Sequence, residues 1–212
     1  MNVGSRQEQT SHRPDSADQD PAVKAAGAWI NQFARTLKTC RLYDAINPTV
    51  GKFRQDLAIG MVFGVAFKFA MKMIVMPLLG ADPINHAYHY LVGNRAALPG
   101  ILFAVIVAAG FGEETLFRGY MFERLGKLWG RSVGAKILIV LLTAGLFGMA
   151  HYHDQGLPGA EQATISGLVF GTIFAVTGRI WMLMCAHAAF DLAAVAIIYW
   201  NLESKVAHLI FK

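Results

Sequence analysis

The sequence predicts an all-α protein: a polytopic membrane helical bundle of about five spans, preceded by a polar tail and a basic amphipathic segment. Three observations lead there. Of 212 residues, 55% are hydrophobic and only 16% are charged, against about 25% charged in a typical soluble domain. Five long apolar segments recur along the chain. The basic residues gather in the connections, where Lys and Arg set membrane topology. The net charge of +5 therefore belongs to the membrane reading, and no nucleic acid partner is expected.

Residues 1–21 are polar and nearly free of large apolar side chains, the composition of a disordered tail. No apolar h-region follows the start, so no signal peptide is expected. In residues 22–55, Trp29, Phe33 and Leu37 recur every four residues with Lys24, Arg35, Lys38 and Arg41 between them. That pattern suits either a basic helix lying on the membrane surface or a flexible, partly helical tail. Residues 56–201 form the expected transmembrane domain, with its motif core at 95–200, and residues 202–212 a short C-terminal tail.

The apolar segments are 57–79, 98–117, 136–151, 163–177 and 180–200. A span takes about 20 apolar residues. The first and last qualify outright; the third and fourth qualify if their polar neighbours face the bundle interior. Gly145, Gly148, Gly167 and Gly171 are expected to let helices approach closely. Basic residues are dense at 35–54 and 118–136, sparse at 80–97 and absent from 152–162. This alternation predicts a cytoplasmic N-terminus and an outside C-terminus, in a plasma (inner) membrane. The two cysteines, Cys40 and Cys185, lie far apart outside any CxxC spacing, so neither a disulfide framework nor a cysteine metal site is read.

Ionisable groups inside a span are costly, so each is a functional candidate. Glu113, Glu114 and Arg118 occupy one apolar segment, Phe147 and His151 a second, His187 and Asp191 a third. Glu114–Arg118, Phe147–His151 and His187–Asp191 are each four residues apart, which puts each pair on one helix face. Arg118 should hold Glu114 as an ion pair. Glu113, about 100° round the helix, is left free to act as a general base. Brought together, these groups could hold and activate a water. His151, His187 and Glu113 also make a ligand set for Zn²⁺ with an open position, although HExxH is absent.

EETLFR, FGMAH and HAAFD fit the patterns EExxxR, FxxxH and HxxxN or HxxxD. In that order the chain resembles the CPBP family of intramembrane proteases, similar to the type II CAAX prenyl endopeptidases and the Abi bacteriocin-immunity proteins. The resemblance implies a helical bundle with its site inside the bilayer. It implies that Glu113 activates a water shared with His151, and that His187 and residue 191 stabilise an oxyanion. Glu114, Arg118 and Phe147 would brace the site. The prenyl endopeptidases look to carry Asn where this chain has Asp191. An ionised Asp cannot donate to an oxyanion, so Asp191 is either protonated or serves to orient His187. Both metal-dependent and glutamate-dependent, metal-free chemistry are described in the family, which leaves zinc open.

Depth adds one constraint. His151 lies 15 residues into its segment, ~22 Å from the inner face at 1.5 Å per residue. Glu113 reaches a similar depth only if its helix continues to about Trp129, ~24 Å further on. One long helix over 98–129 is therefore expected, ended by Gly130. Lys68 and Lys72 form a like-charge pair within the first span; they either snorkel to an interface or face the cavity and meet an anion. His153 and Asp154 either extend the site or begin a turn-forming loop, DQGLPG.

The function these residues predict is endoproteolysis of a membrane-associated protein or peptide, in contact with membrane lipid. Two rivals use the same residues. A scaffold or immunity protein would keep them as a polar packing network, and a proton- or cation-coupled transporter would use them as a relay. The absence of an inverted repeat of broken helices argues against the transporter.

Overall fold

The computed structural model describes residues 50–211 of the chain. The expected tail at 1–21 and nearly all of the amphipathic segment at 22–55 lie outside the described residues. All regular elements among the described residues are helical. Four of the helices are long and apolar enough to cross a membrane, and the third is folded back on itself, so the five expected segments are all present. The protein is an integral membrane protein with a helical bundle fold.

Helix α1 begins at Val50–Ala70 and runs on through a π-helical turn, Met71–Val75, to Met76–Leu78. It thus absorbs the end of the segment read as amphipathic. Short 3-10 turns at His86–Leu91 and Arg95–Ala97 connect it to α2. Helix α2 is a single 35-residue rod, Arg95–Trp129, and Gly130 ends it with φ 82°. This is the long helix that the depth constraint requires. Its middle has π-helical hydrogen bonding over Ala104–Glu113 and again over Thr115–Met121. The wider i→i+5 turn often marks functional positions in helices.

Helix α3 covers Val133–Thr177, broken at Gly156 (φ 66°, ψ −163°) with Pro158 just beyond. A left-handed φ is cheap only for glycine, and Pro158 cannot continue the preceding hydrogen-bond ladder. The two limbs return antiparallel. A Cβ on Gly148 would come within 1.9 Å of Thr164 Oγ1, and one on Gly167 within 2.9 Å of Ala144 Cα. Lys136 Nζ donates to the Ala175 carbonyl across the far end of the hairpin at 3.0 Å. Gly145 differs from the expectation: no heavy atom beyond its own helix lies within 4 Å of where its Cβ would be. Gly171 makes only ordinary contacts there.

Helix α4, Ile180–Tyr199, is the centre of the bundle, with its segment from Met182 to Phe190 wholly buried. Helix α1 lies directly on it: a Cβ at Gly64 would sit 2.0 Å from the Ala186 carbonyl oxygen. Helix α2 touches it at Gly110, against Ala188. Apolar side chains gain little by leaving lipid for protein, so close backbone approach through small residues is what holds such helices together. A short helix α5, Glu203–Ala207, docks back with Glu203, Val206 and Ala207 buried. The segment read as a C-terminal tail is partly packed against the bundle.

Candidate active site

Three helices bring the motif residues together around His187 in the middle of α4. On α2, Glu114 is fully buried. Its Oε1 accepts from Arg118 Nη1 at 2.8 Å and from His187 Nδ1 at 2.8 Å. Arg118 is 1% exposed and reaches the Gly167 carbonyl at 3.4 Å. Its guanidinium lies 5.0 Å from the Phe147 ring centroid and 5.7 Å from that of Phe170. Two ions can share a dry interior only when paired and hydrogen bonded. Stacking on two rings suits the planar, weakly hydrated guanidinium.

Glu113, one residue earlier, turns a different way. About a third of its side chain is exposed. Its Oε2 is buried without a hydrogen-bond partner, 3.7 Å from His187 Nε2. Asp191 Oδ2 is 3.6 Å from the same nitrogen. His187 therefore has two distinct sides. Nδ1 is fixed by Glu114, 73 residues away in sequence, and Nε2 faces Glu113 and Asp191. Orientation of this ring comes from Glu114 across the helix interface, while Asp191 stands at the opposite nitrogen.

His151 is placed from α3. Its Nδ1 lies 2.8 Å from the Phe147 carbonyl. A carbonyl can only accept, so Nδ1 carries the proton, which leaves Nε2 as the functional nitrogen. The Phe147 ring packs edge-on against His151, centroids 4.6 Å apart, and against His187 at 6.0 Å. Phe147 thus stands between Arg118 and both histidines. His153 and Asp154 pair with each other at 2.7 Å on the exposed surface, and of the two only Asp154 reaches the cavity wall.

Glu113, His151, His187 and Asp191 line one cavity of about 330 Å³. Small residues of α2, Ala104, Ala108 and Ala109, form part of its apolar wall. Five polar lining residues were not singled out from sequence: Asn85, Tyr88, Gln155, Gln162 and Ser166. Tyr88 accepts a 3.4 Å hydrogen bond from Gln155 Nε2. Burial pushes the Tyr88 phenol up, and the carboxylates of Asp191, Asp154 and Glu113 add to the shift. It is held as a neutral O–H donor at the cavity edge.

Among the described residues, no three His, Cys, Asp or Glu side chains form a group able to hold a metal ion. His151, His187 and Glu113 as they stand are not such a group.

No curated protein and no solved structure matches the chain. A family model does, over residues 95–193, a stretch that contains the Glu113, His151 and His187 motifs and leaves out α1. That model is described as type II CAAX prenyl endopeptidase Rce1-like, and over this stretch the chain is similar to that family of proteases.

Proposed function

We propose that the protein is an intramembrane endopeptidase that hydrolyses peptide bonds of a membrane-associated protein or peptide. The observation that carries this reading is the contrast at one cavity: a carboxylate with a bare oxygen, Glu113, beside two histidines whose Nδ1 atoms are both engaged. Glu113 takes a proton from a water held between it and His151 Nε2, and the oxygen adds to the scissile carbonyl carbon. The resulting oxyanion accepts from His187 Nε2–H. When the C–N bond breaks, Glu113 returns the proton to the departing amine. General-base catalysis of this kind contributes about 10²–10⁴-fold, and a preformed oxyanion donor a further ~10²–10³-fold. Asp191, 3.6 Å from Nε2, keeps that nitrogen protonated. Glu114, Arg118 and Phe147 hold the rings in place.

The distribution of Lys and Arg supports a cytoplasmic N-terminus for this bundle. The test of activity is cleavage of a quenched-fluorescence peptide library by the protein reconstituted in liposomes. Wild type cleaves, while Glu113→Gln and His151→Ala, folded by their unfolding midpoints, do not. Equal cleavage by wild type and Glu113→Gln would overturn the reading and favour a scaffold that keeps these residues for packing.

A further inference from the structure

Lys68 belongs to α1, outside the region that matches the protease family. It is 7% exposed, in a helix that crosses the membrane. Its ammonium does not snorkel to an interface. It donates to a neutral amide oxygen, Gln162 Oε1, at 3.0 Å, and lies 4.7 Å above the Phe190 ring. Its neighbour Lys72 has a different fate, paired with the buried carboxylate of Glu203 at 3.2 Å and hydrogen bonded to the Pro83 carbonyl. Among the described residues Lys68 has no carboxylate within 4 Å; Asp191 and Glu203 act on its charge only from further away, so its ammonium is left without a close ion-pair partner, and a buried charge favours one.

The position of Lys68 says where compensation comes from. Lys68 and Gln162 line the cavity that holds Glu113, His151 and His187. They also line a second cavity, of about 400 Å³, bounded by Lys72, Glu203 and the 81–87 loop. The two residues stand at the junction of both spaces. An extended chain that runs from the first cavity toward the second comes to this ammonium.

We propose that Lys68 and Gln162 form an anion subsite that binds a carboxylate of the peptide substrate at the junction of the two cavities. The proposal rests on the endopeptidase reading of the adjoining cavity. Lys68 supplies the charge and two remaining N–H donors. Gln162, whose oxygen holds Lys68, has its own amide N–H₂ to offer the second carboxylate oxygen. Phe190 limits the position of the ammonium from below. The carboxylate would make Lys68 a specificity-determining residue, contributed by a helix that the family region does not include.

The test uses binding, so that its outcome is separable from catalysis. The full chain carrying Glu113→Gln is purified in detergent. It is titrated with N-acetyl-Ala-Leu-Ala-Leu as free acid, with the same peptide as its C-terminal amide, and with inorganic phosphate. The free acid should bind about tenfold or more tightly than the amide, the weight of one hydrogen bond between charged groups. Adding Lys68→Met should remove that difference, while Lys68→Arg should keep most of it. Lys68→Gln serves if Lys68→Met does not fold. Equal binding of acid and amide, or a preference that survives Lys68→Met and Lys68→Gln, overturns the subsite. Phosphate that competes with the acid at equal concentration would assign the site to a phosphate or lipid headgroup and overturn the carboxylate. A protein that shows the acid preference yet cleaves nothing would keep the subsite and sink the protease reading.

Discussion

Glu113 and Glu114 are adjacent, identical in chemistry and carried by the same π-distorted stretch of α2, yet they belong to two different regions. Glu114 sits in a closed brace, bonded to Arg118 and His187, with two aromatic rings packed on the Arg118 guanidinium. Each carboxylate keeps one oxygen without a hydrogen-bond partner, but Glu113 stands at the wall of an open cavity with about a third of its side chain exposed, while Glu114 is wholly buried. The brace resembles a structural ion cluster and the cavity resembles a workplace. His187 belongs to both, with one nitrogen in each. The difference teaches that one helix can spend one carboxylate on stability and reserve its neighbour for chemistry, provided that the backbone turns the two apart.

The largest expected effect falls on the brace. Arg118→Ala would leave Glu114 buried with His187 as its one remaining partner, and breaking one side of a buried ion pair costs about 3–5 kcal/mol. Unfolding in detergent measured by denaturant titration should show that loss. Replacing both partners, Glu114→Gln with Arg118→Met, should recover a large part of it, because the isolated charge is then gone. If Arg118→Ala unfolds like wild type, the pair is not the closed unit its burial implies.

Glu113→Gln should do the opposite. Its hydrolytic rate should fall by about 10²–10⁴-fold, while the unfolding midpoint holds near wild type, since Glu113 Oε2 has no hydrogen bond to lose. A Glu113→Gln protein destabilised as much as Arg118→Ala would erase the distinction between the regions. Measuring rate and midpoint on the same preparation decides between them.

The sequence made part of this arrangement legible. The four-residue spacings placed Glu114 with Arg118 and left Glu113 apart, because helical geometry fixes relative direction. The depth argument required α2 to continue through Phe122–Trp129, since only length can bring Glu113 level with His151. The π-helical turns were not legible: they are a change of backbone hydrogen-bond register, and no side-chain pattern demands it. Nor was the Glu114–His187 bond, which depends on how α2 lies against α4. Tyr88 and Gln162 carry no charge and sit where a loop or hairpin limb happens to pass the cavity, so nothing local marks them.

Small residues show the same limit, and a smaller effect tests it. Gly145 was expected to be a packing site but has open space beside it, whereas Gly64 lies against the Ala186 backbone. Both are glycines in apolar helices, and only the partner helix tells them apart. Gly64→Val should cost about 1–3 kcal/mol through overpacking at the α1–α4 contact. Gly145→Ala should stay within about 0.5 kcal/mol of wild type, as surface changes do. Equal losses at the two positions would mean that α1 is free to shift on α4.

The smallest effect is expected at Tyr88, on the cavity's loop side. Its hydroxyl is within reach of Gln155, and burial, reinforced by nearby carboxylates, raises its pKa above the ordinary value of about 10. A phenol shifted upward keeps its proton until the pH passes that raised value, so across neutral and mildly alkaline conditions it stays neutral, with its O–H free to donate while its oxygen accepts from Gln155. Tyr88→Phe should therefore lower the hydrolytic rate by about fivefold, the weight of one neutral hydrogen bond. The ratio of wild-type to variant rates should stay flat from about pH 6 to pH 9, because the group that was removed does not titrate there. A ratio that changes within this window would make Tyr88 a proton-transfer group and move it from the rim of the cavity into the chemistry that Glu113 is assigned.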